Sequence, residues 1–219
     1  MNHDVQFYDK LILRSDFMYT ILVTGFAPFD HETVNPSYEA IKLLPNHMDG
    51  ISIIQIELPT VFTTSAMILI DKINETNPDT ILMFGQAGGR KSISIERIAI
   101  NIDDASIPDN QGYQPIDKPI VIDGPPAYFS TLPIKTLNSK LNAKGIPTSI
   151  SNSAGTFICN HLMYQILHYL KKEKKNAIAG FIHVPYIHEQ VHDKPGVFSM
   201  NLDLITEAIK IIIHTLKEE

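Results

Sequence analysis

The stretch YTILVTG, residues 19–25, places Ile21, Leu22 and Val23 on successive positions with no charge among them. A strand with one wet face alternates apolar and polar residues. A run that is apolar on consecutive positions reads instead as a strand covered on both sides, the habit of parallel sheets. Asn35-Pro36 follows at once and supplies an N-cap and a first-turn proline for a helix near 36–44. The same alternation repeats outward along the chain. ISIIQIEL (51–58) reads as a strand and precedes a helix near 62–76, and TILMFG (80–85) is a third strand. IPTSIS (146–151) leads to a helix beginning near Thr156, and AIAGFIHV (177–184) is another buried strand. LDLITEAIKIIIHTLK (202–217) is a last helix, apolar at Leu204, Ile205, Ala208, Ile209, Ile212 and Ile213. Strands alternating with helices predict a single three-layer α/β/α domain around a mixed, mainly parallel twisted sheet. Residues 1–17 read as an N-terminal appendage, disordered or an upstream start, and residues 18–219 as that α/β domain.

Two segments break the rhythm. SISIERIAINI (92–102) alternates like a strand, but Ile93 and Ile95 are odd-numbered while Ile98, Ile100 and Ile102 are even. The slip at Glu96-Arg97 predicts a bulge that re-aims Glu96, or else an exposed turn of the strand. Residues 103–133 are too long and too rich in Pro, Gly and Asp for a simple connection, so they read as a lid or binding loop. Ile107, Tyr113, Ile116, Ile120 and Tyr128 argue against disorder there.

Charge excludes one partner class. With 18 basic against 24 acidic residues the net charge is −6, and no basic cluster interleaves with aromatics, so nucleic acid is not expected. No signal-like apolar segment opens the chain and none is long enough to span a bilayer. A cytoplasmic location and no membrane partner are expected.

The chain has one cysteine, Cys159, within SNSAGTFICNH (151–161). It can form no internal disulfide, which leaves a buried small hydrophobe or a nucleophile. Near a helix N-terminus, unpaired N–H groups and the dipole favour a thiolate and offer an oxyanion site. Among nine histidines, His161 points about 200° and His168 about 180° away from Cys159 around the helix. His183 ends a strand, where open α/β sheets place their ligands, and suits the base. Glu96 is then the candidate to orient its ring. HEQVH (188–192) matches the H-E-x-x-H zinc-peptidase signature through His188, Glu189 and His192. Pro185 and Pro195 bracket it, however, and no amphipathic helix surrounds it. GQAGGR (85–90) lacks the ending of a phosphate loop.

Together LVTGFAPF, VNPS, GQAGGRKSISIERIAIN, IPDNQG, SNSAGTFICNH and FIHVPY resemble pyroglutamyl peptidase type I, the pyrrolidone-carboxylate peptidases, from Met18 to the last helix. The resemblance implies a cytosolic cysteine omega-peptidase that removes N-terminal pyroglutamate from peptides. It implies Cys159 as nucleophile, His183 as base and Glu96 as its orienting carboxylate, with neither metal nor organic cofactor. Phe26, Phe29, Ile107, Phe157 and Ile158 are implied in an apolar slot for the lactam, with Gln86, supported by Asn35, bonding to it. Members often assemble as dimers or tetramers, so a homo-oligomer is expected. Ser106 stands where the family usually has arginine, and His188 where many members have proline. A zinc peptidase, a non-catalytic pyroglutamate-binding protein and, on fold analogy, a nucleoside-binding enzyme are the alternatives.

Overall fold

The computed structural model describes residues 18–218; the N-terminal appendage expected over 1–17 lies outside them. In chain order the elements are β1 (Tyr19–Phe26), α1 (Pro36–Lys42), β2 (His47–Met48), β3 (Ile51–Leu58), α2 (Thr64–Thr76), β4 (Thr80–Gln86) and β5 (Ile93–Glu96). Then follow β6 (Ile98–Ile100), β7 (Ala127–Phe129), α3 (Ile134–Ala143), β8 (Thr148–Ser151), α4 (Ile158–Lys172), β9 (Ile178–Val184) and α5 (Leu202–Glu218). A 3₁₀ turn covers His188–Val191.

Seven strands form one sheet in the order β2-β3-β1-β4-β9-β5-β8. β3, β1, β4 and β9 run parallel, β5 lies antiparallel to β9, and β8 is parallel to β5. The sheet is thus mixed and mainly parallel, as expected. Its residues Ile21, Val23, Leu82 and Phe84 face α1, α3 and α5, whereas Leu22, Ile81, Met83, Ala179 and Phe181 face α2 and α4. The consecutive apolar run in β1 is therefore explained by burial on both sides.

Local chemistry sets the element ends. Asn35 caps α1, its Oδ1 accepting the Ser37 N–H at 3.2 Å, with Pro36 at the first helical position. α5 buries Ile205, Ala208, Ile209, Ile212 and Ile213 on one stripe. The phase slip at Glu96-Arg97 is not a bulge within one strand. The chain leaves the main sheet after Glu96, and β6 pairs instead with β7 in a two-stranded sheet. All four residues of β5, Glu96 included, are buried, which rules out an exposed turn there.

The 103–133 segment is ordered. Backbone bonds between Asp103 and Lys118 tie it together, and Asn101 holds Val121 and Gly124. Its Asp109 Oδ2 accepts the Phe62 N–H at 3.0 Å, and the Asn110 N–H bonds Thr60 O at 3.0 Å. The segment therefore braces the β3–α2 loop. Its Ile116 and Ile122 remain exposed. β2, β7 and α3 were not expected from the sequence.

Candidate active site

Four parallel strands bring their carboxyl ends to one edge: Phe26 ends β1, Leu58 β3, Gln86 β4, and His183 lies one residue from the end of β9. A crevice beyond such ends, where strand order reverses beside β1, is where this architecture binds small molecules. Here it holds a cavity of about 130 Å³ lined by Phe26, Phe29, Asn35, Thr60, Gln86, Ala154, Phe157, Ile158, Cys159 and His183. A larger hollow of about 600 Å³ lies at the opposite, amino-terminal edge around Tyr19, Asp79 and Lys175, far from any of these side chains.

Sheet register builds the polar half of the site. β5 pairs antiparallel with β9 so that Ser94 faces His183. Glu96, two residues on, projects to the same face and meets His183 diagonally. Its Oε1 accepts the His183 Nδ1–H at 2.7 Å, both side chains being buried. With Nδ1 bound to a carboxylate, Nε2 is left as the free basic nitrogen.

A missing side chain seats the sulfur. Gly85 is the register neighbour of His183 across β4 and β9. A Cβ there would stand 2.9 Å from Cys159 Sγ, so the thiol lies over the glycine, beside the imidazole. The glycine of the GQAGGR turn thus serves proximity rather than phosphate.

Cys159 is the second residue of α4, which begins at Ile158 rather than near Thr156. The N-cap is Phe157, and it offers no capping hydrogen bond. The N–H groups of the first turn are consequently open to a ligand. His161 and His168 do turn away. His161 Nδ1 bonds Asp103 at 2.8 Å and its Nε2 accepts the Thr63 N–H at 3.2 Å, while His168 bonds Tyr128.

Electrostatics weigh against a resting thiolate. Burial, reinforced by the Glu96 charge, pushes the Cys159 thiol up to about 12, although Arg90 and its own backbone N–H pull the other way. Burial likewise lowers His183, against the hydrogen bond and charge of Glu96. Both shifts favour the neutral forms of the pair. The helix N-terminus helps a thiolate, but desolvation outweighs it. Glu96 is opposite: burial raises it, yet His183, the Ser151 hydroxyl and, less strongly, Arg90 hold it below its ordinary value.

The apolar half is aromatic. Phe157 packs 5.3 Å from Phe62 and 6.2 Å from Phe29, ring centre to ring centre, and Phe26 lies 6.4 Å from Phe181. Thr60, two residues beyond the end of β3, lines the cavity and was not anticipated. Its place after a parallel strand's carboxyl end was the available signal. Ile107 does not line this cavity but a neighbouring depression with Asp30, His31 and Asn110.

Nor does Asn35 support Gln86. Asn35 makes no hydrogen bond to Gln86: its Nδ2 donates to Ala27 O and its Oδ1 accepts from Ser37. Gln86 is held by Gln190, whose Nε2 donates to Gln86 Oε1 at 2.8 Å. Gln190 Oε1 accepts the Ile187 N–H at 3.2 Å, which fixes both amide orientations and leaves Gln86 Nε2 without a partner among the described residues. Gln190 belongs to the HEQVH segment. That segment is a single 3₁₀ turn, not the α-helix an H-E-x-x-H zinc site requires, and His188 bonds Ser199. Among the described residues no cluster of three His, Cys, Asp or Glu side chains is poised for a metal.

Residues 19–219 match the family described as pyroglutamyl peptidase. The chain belongs to that family. A pyrrolidone-carboxylate peptidase 1 of Caldanaerobacter subterraneus subsp. tengcongensis is 54% identical over 196 residues, covering 90% of this chain and 97% of the relative. The crystal structure of pyroglutamyl peptidase I from Bacillus amyloliquefaciens superposes with a TM-score of 0.86 at 45% identity, over 89% of this chain and 92% of that one. X-ray structures of pyrrolidone carboxyl peptidase from Pyrococcus furiosus and its Cys-free mutant give a TM-score of 0.87 at 44% identity, over 91% and 98%. The sequence-based expectation of a cysteine-type hydrolase of the pyroglutamyl peptidase I class stands, and the zinc-peptidase and binding-protein alternatives are not favoured.

Proposed function

We propose that this protein removes an N-terminal pyroglutamyl residue from peptides, with Cys159 as nucleophile, His183 as general base and acid, and Glu96 as the carboxylate that orients it. The observation that carries the reading is the His183 Nδ1–Glu96 Oε1 bond of 2.7 Å beside a sulfur seated over Gly85. A lactam is uncharged, and a cavity of about 130 Å³ walled by Phe26, Phe29, Phe157 and Ile158 suits one small ring. Gln86 Nε2 donates to the lactam carbonyl. The cavity's size and apolar walls disfavour a longer or charged end group.

In the first step His183 Nε2 takes the thiol proton as sulfur bonds to the carbonyl carbon joining pyroglutamate to the next residue. With the thiol pushed up and the imidazole lowered, the proton passes to Nε2 as the C–S bond forms. The oxyanion forms against the free N–H groups of the α4 first turn, within a low-dielectric site. The C–N bond breaks as imidazolium protonates the departing amine, leaving a thioester. Water, deprotonated by His183, attacks that thioester. Pyroglutamic acid leaves and the proton returns to sulfur.

Cytoplasmic residence accompanies this reading, supported by a free thiol that a reducing compartment preserves. Among the described residues no helix is long and apolar enough to cross a membrane. A homo-oligomer belongs to the same reading, on the resemblance to the family. The deciding experiment is hydrolysis of a pyroglutamyl-linked chromogenic amide. Cys159→Ala is expected to lose at least about a thousandfold in kcat with its melting temperature retained. Full activity in that variant would overturn the assignment.

A further inference from the structure

Arg90 lies outside the residues assigned above, yet three elements meet on its guanidinium. Nη1 donates to Glu96 Oε1 at 2.5 Å, and Nη2 donates to Ser153 O at 3.2 Å in the loop that leads into α4. Glu96 Oε1 is also the atom that accepts from His183, whereas Glu96 Oε2 is buried and has no partner among the described residues. Arginine and histidine therefore share one oxygen of a fully buried carboxylate. Arg90 itself keeps roughly a third of its side chain in solvent, at 30% exposure, so its charge costs little to hold there.

We infer that Arg90 is a positioning residue for the proposed peptidase reaction, dividing the Glu96 charge with His183 so that the imidazole stays a free base, and tying the loop before Cys159 to the same carboxylate. The inference rests on the Cys159–His183–Glu96 reading. The charged and titratable groups facing His183 are Glu96 from β5, Cys159 from α4 and Arg90 from the β4–β5 turn. The ring's register neighbours, Gly85 and Ser94, carry no charge. An undivided Glu96 would attract the imidazolium more strongly. It would also leave a buried carboxylate without its permanently charged donor. Arg90 lowers His183 and opposes the upward push on Cys159, the same direction that the geometry implies.

The test compares wild type, Arg90→Gln and Arg90→Lys as full chains on a pyroglutamyl amide, following kcat/KM against pH and thiol alkylation rates. Arg90→Gln is expected to move the acid limb of kcat/KM to higher pH and to slow alkylation at neutral pH. It should also cost about ten- to a hundredfold in kcat/KM there, the range for a hydrogen bond to a charged group. Arg90→Lys is expected to restore the acid limb, because a charge remains beside Glu96, without restoring full kcat, because one ammonium spans Glu96 and Ser153 less well. An acid limb and alkylation profile unchanged in Arg90→Gln would overturn the inference, whether KM rises or not. If Arg90→Gln melts early, an Arg90→Lys acid limb displaced as far as that of Arg90→Gln would overturn it equally. Because Cys159→Ala is assayed alongside, loss of this inference and loss of the peptidase reading are separate outcomes.

Discussion

A methyl group at position 85 would stand 2.9 Å from the Cys159 sulfur and 2.8 Å from the Phe181 ring, closer than non-bonded carbon atoms approach. Gly85→Ala must therefore push the thiol off the place where His183 reaches it. Misplacement of a reacting atom by about 1 Å costs on the order of a hundredfold in rate. Overpacking at a single core site costs about 1–3 kcal/mol of stability. The expected result is a folded protein with a modestly lowered melting temperature and a kcat down by roughly two orders of magnitude; wild-type kcat in Gly85→Ala would show that the sulfur is seated otherwise. The thiol itself makes a second prediction. With Cys159 pushed up to about 12, alkylation by iodoacetamide in the empty enzyme should keep rising with pH beyond 9. It should show no plateau in the neutral range. Activity behaves differently, because it needs His183 neutral. Burial lowers that imidazole, so kcat/KM should persist below pH 6.5 and fall only as the pH passes the lowered value. A neutral-pH plateau in alkylation would instead indicate a resting thiolate–imidazolium pair.

On the proposed function, the His188–Val191 turn, an element too short to be read from sequence, has a part in specificity. Gln190 in that turn fixes the Gln86 amide. Gln190→Leu is expected to raise KM for a pyroglutamyl amide about tenfold, the worth of a buried polar partner, while kcat changes less. Equal losses in kcat and kcat/KM would place Gln190 in the transition state instead. Sequence reading recovered the long parallel strands because each is apolar on consecutive positions, a signal independent of partners. It singled out Cys159, His183 and Glu96 from the chemistry of a lone thiol, a strand end and a broken phase, and the structure brings these three side chains together. It missed α3 because only Leu137 and Leu141 are buried there, amid Asn138, Ser139 and Asn142, which are weak helix formers. It misread the break at Glu96 because a change of sheet and a bulge both shift alternation by one residue. The Gln86–Gln190 bond joins residues 104 positions apart, and neither local propensity nor spacing encodes such a meeting.

Across the whole molecule, the site's charges make folding depend on pH. Folded His183 binds a proton less readily than in the unfolded chain, so below about 6.5 the unfolded state gains protons that the folded state does not. Folded Glu96 is also held low, and it repeats the effect as the pH falls further through the ordinary carboxylate range. Both signs agree: the stability these groups contribute is present at neutral pH and is lost on acidification. Each group's slope is limited to about 1.4 kcal/mol per pH unit. The other titrating residues of a chain with net charge −6 add their own slopes, so the contribution of the pair is isolated as a difference. Urea midpoints of wild type and His183→Gln, measured from pH 8 down to pH 4, are expected to converge toward low pH. The wild type should lose stability faster between about 6.5 and 5, since glutamine has no proton to gain in the unfolded state. Parallel midpoints across that range would mean that His183 titrates alike folded and unfolded, and that its burial against Glu96 leaves its proton affinity unchanged.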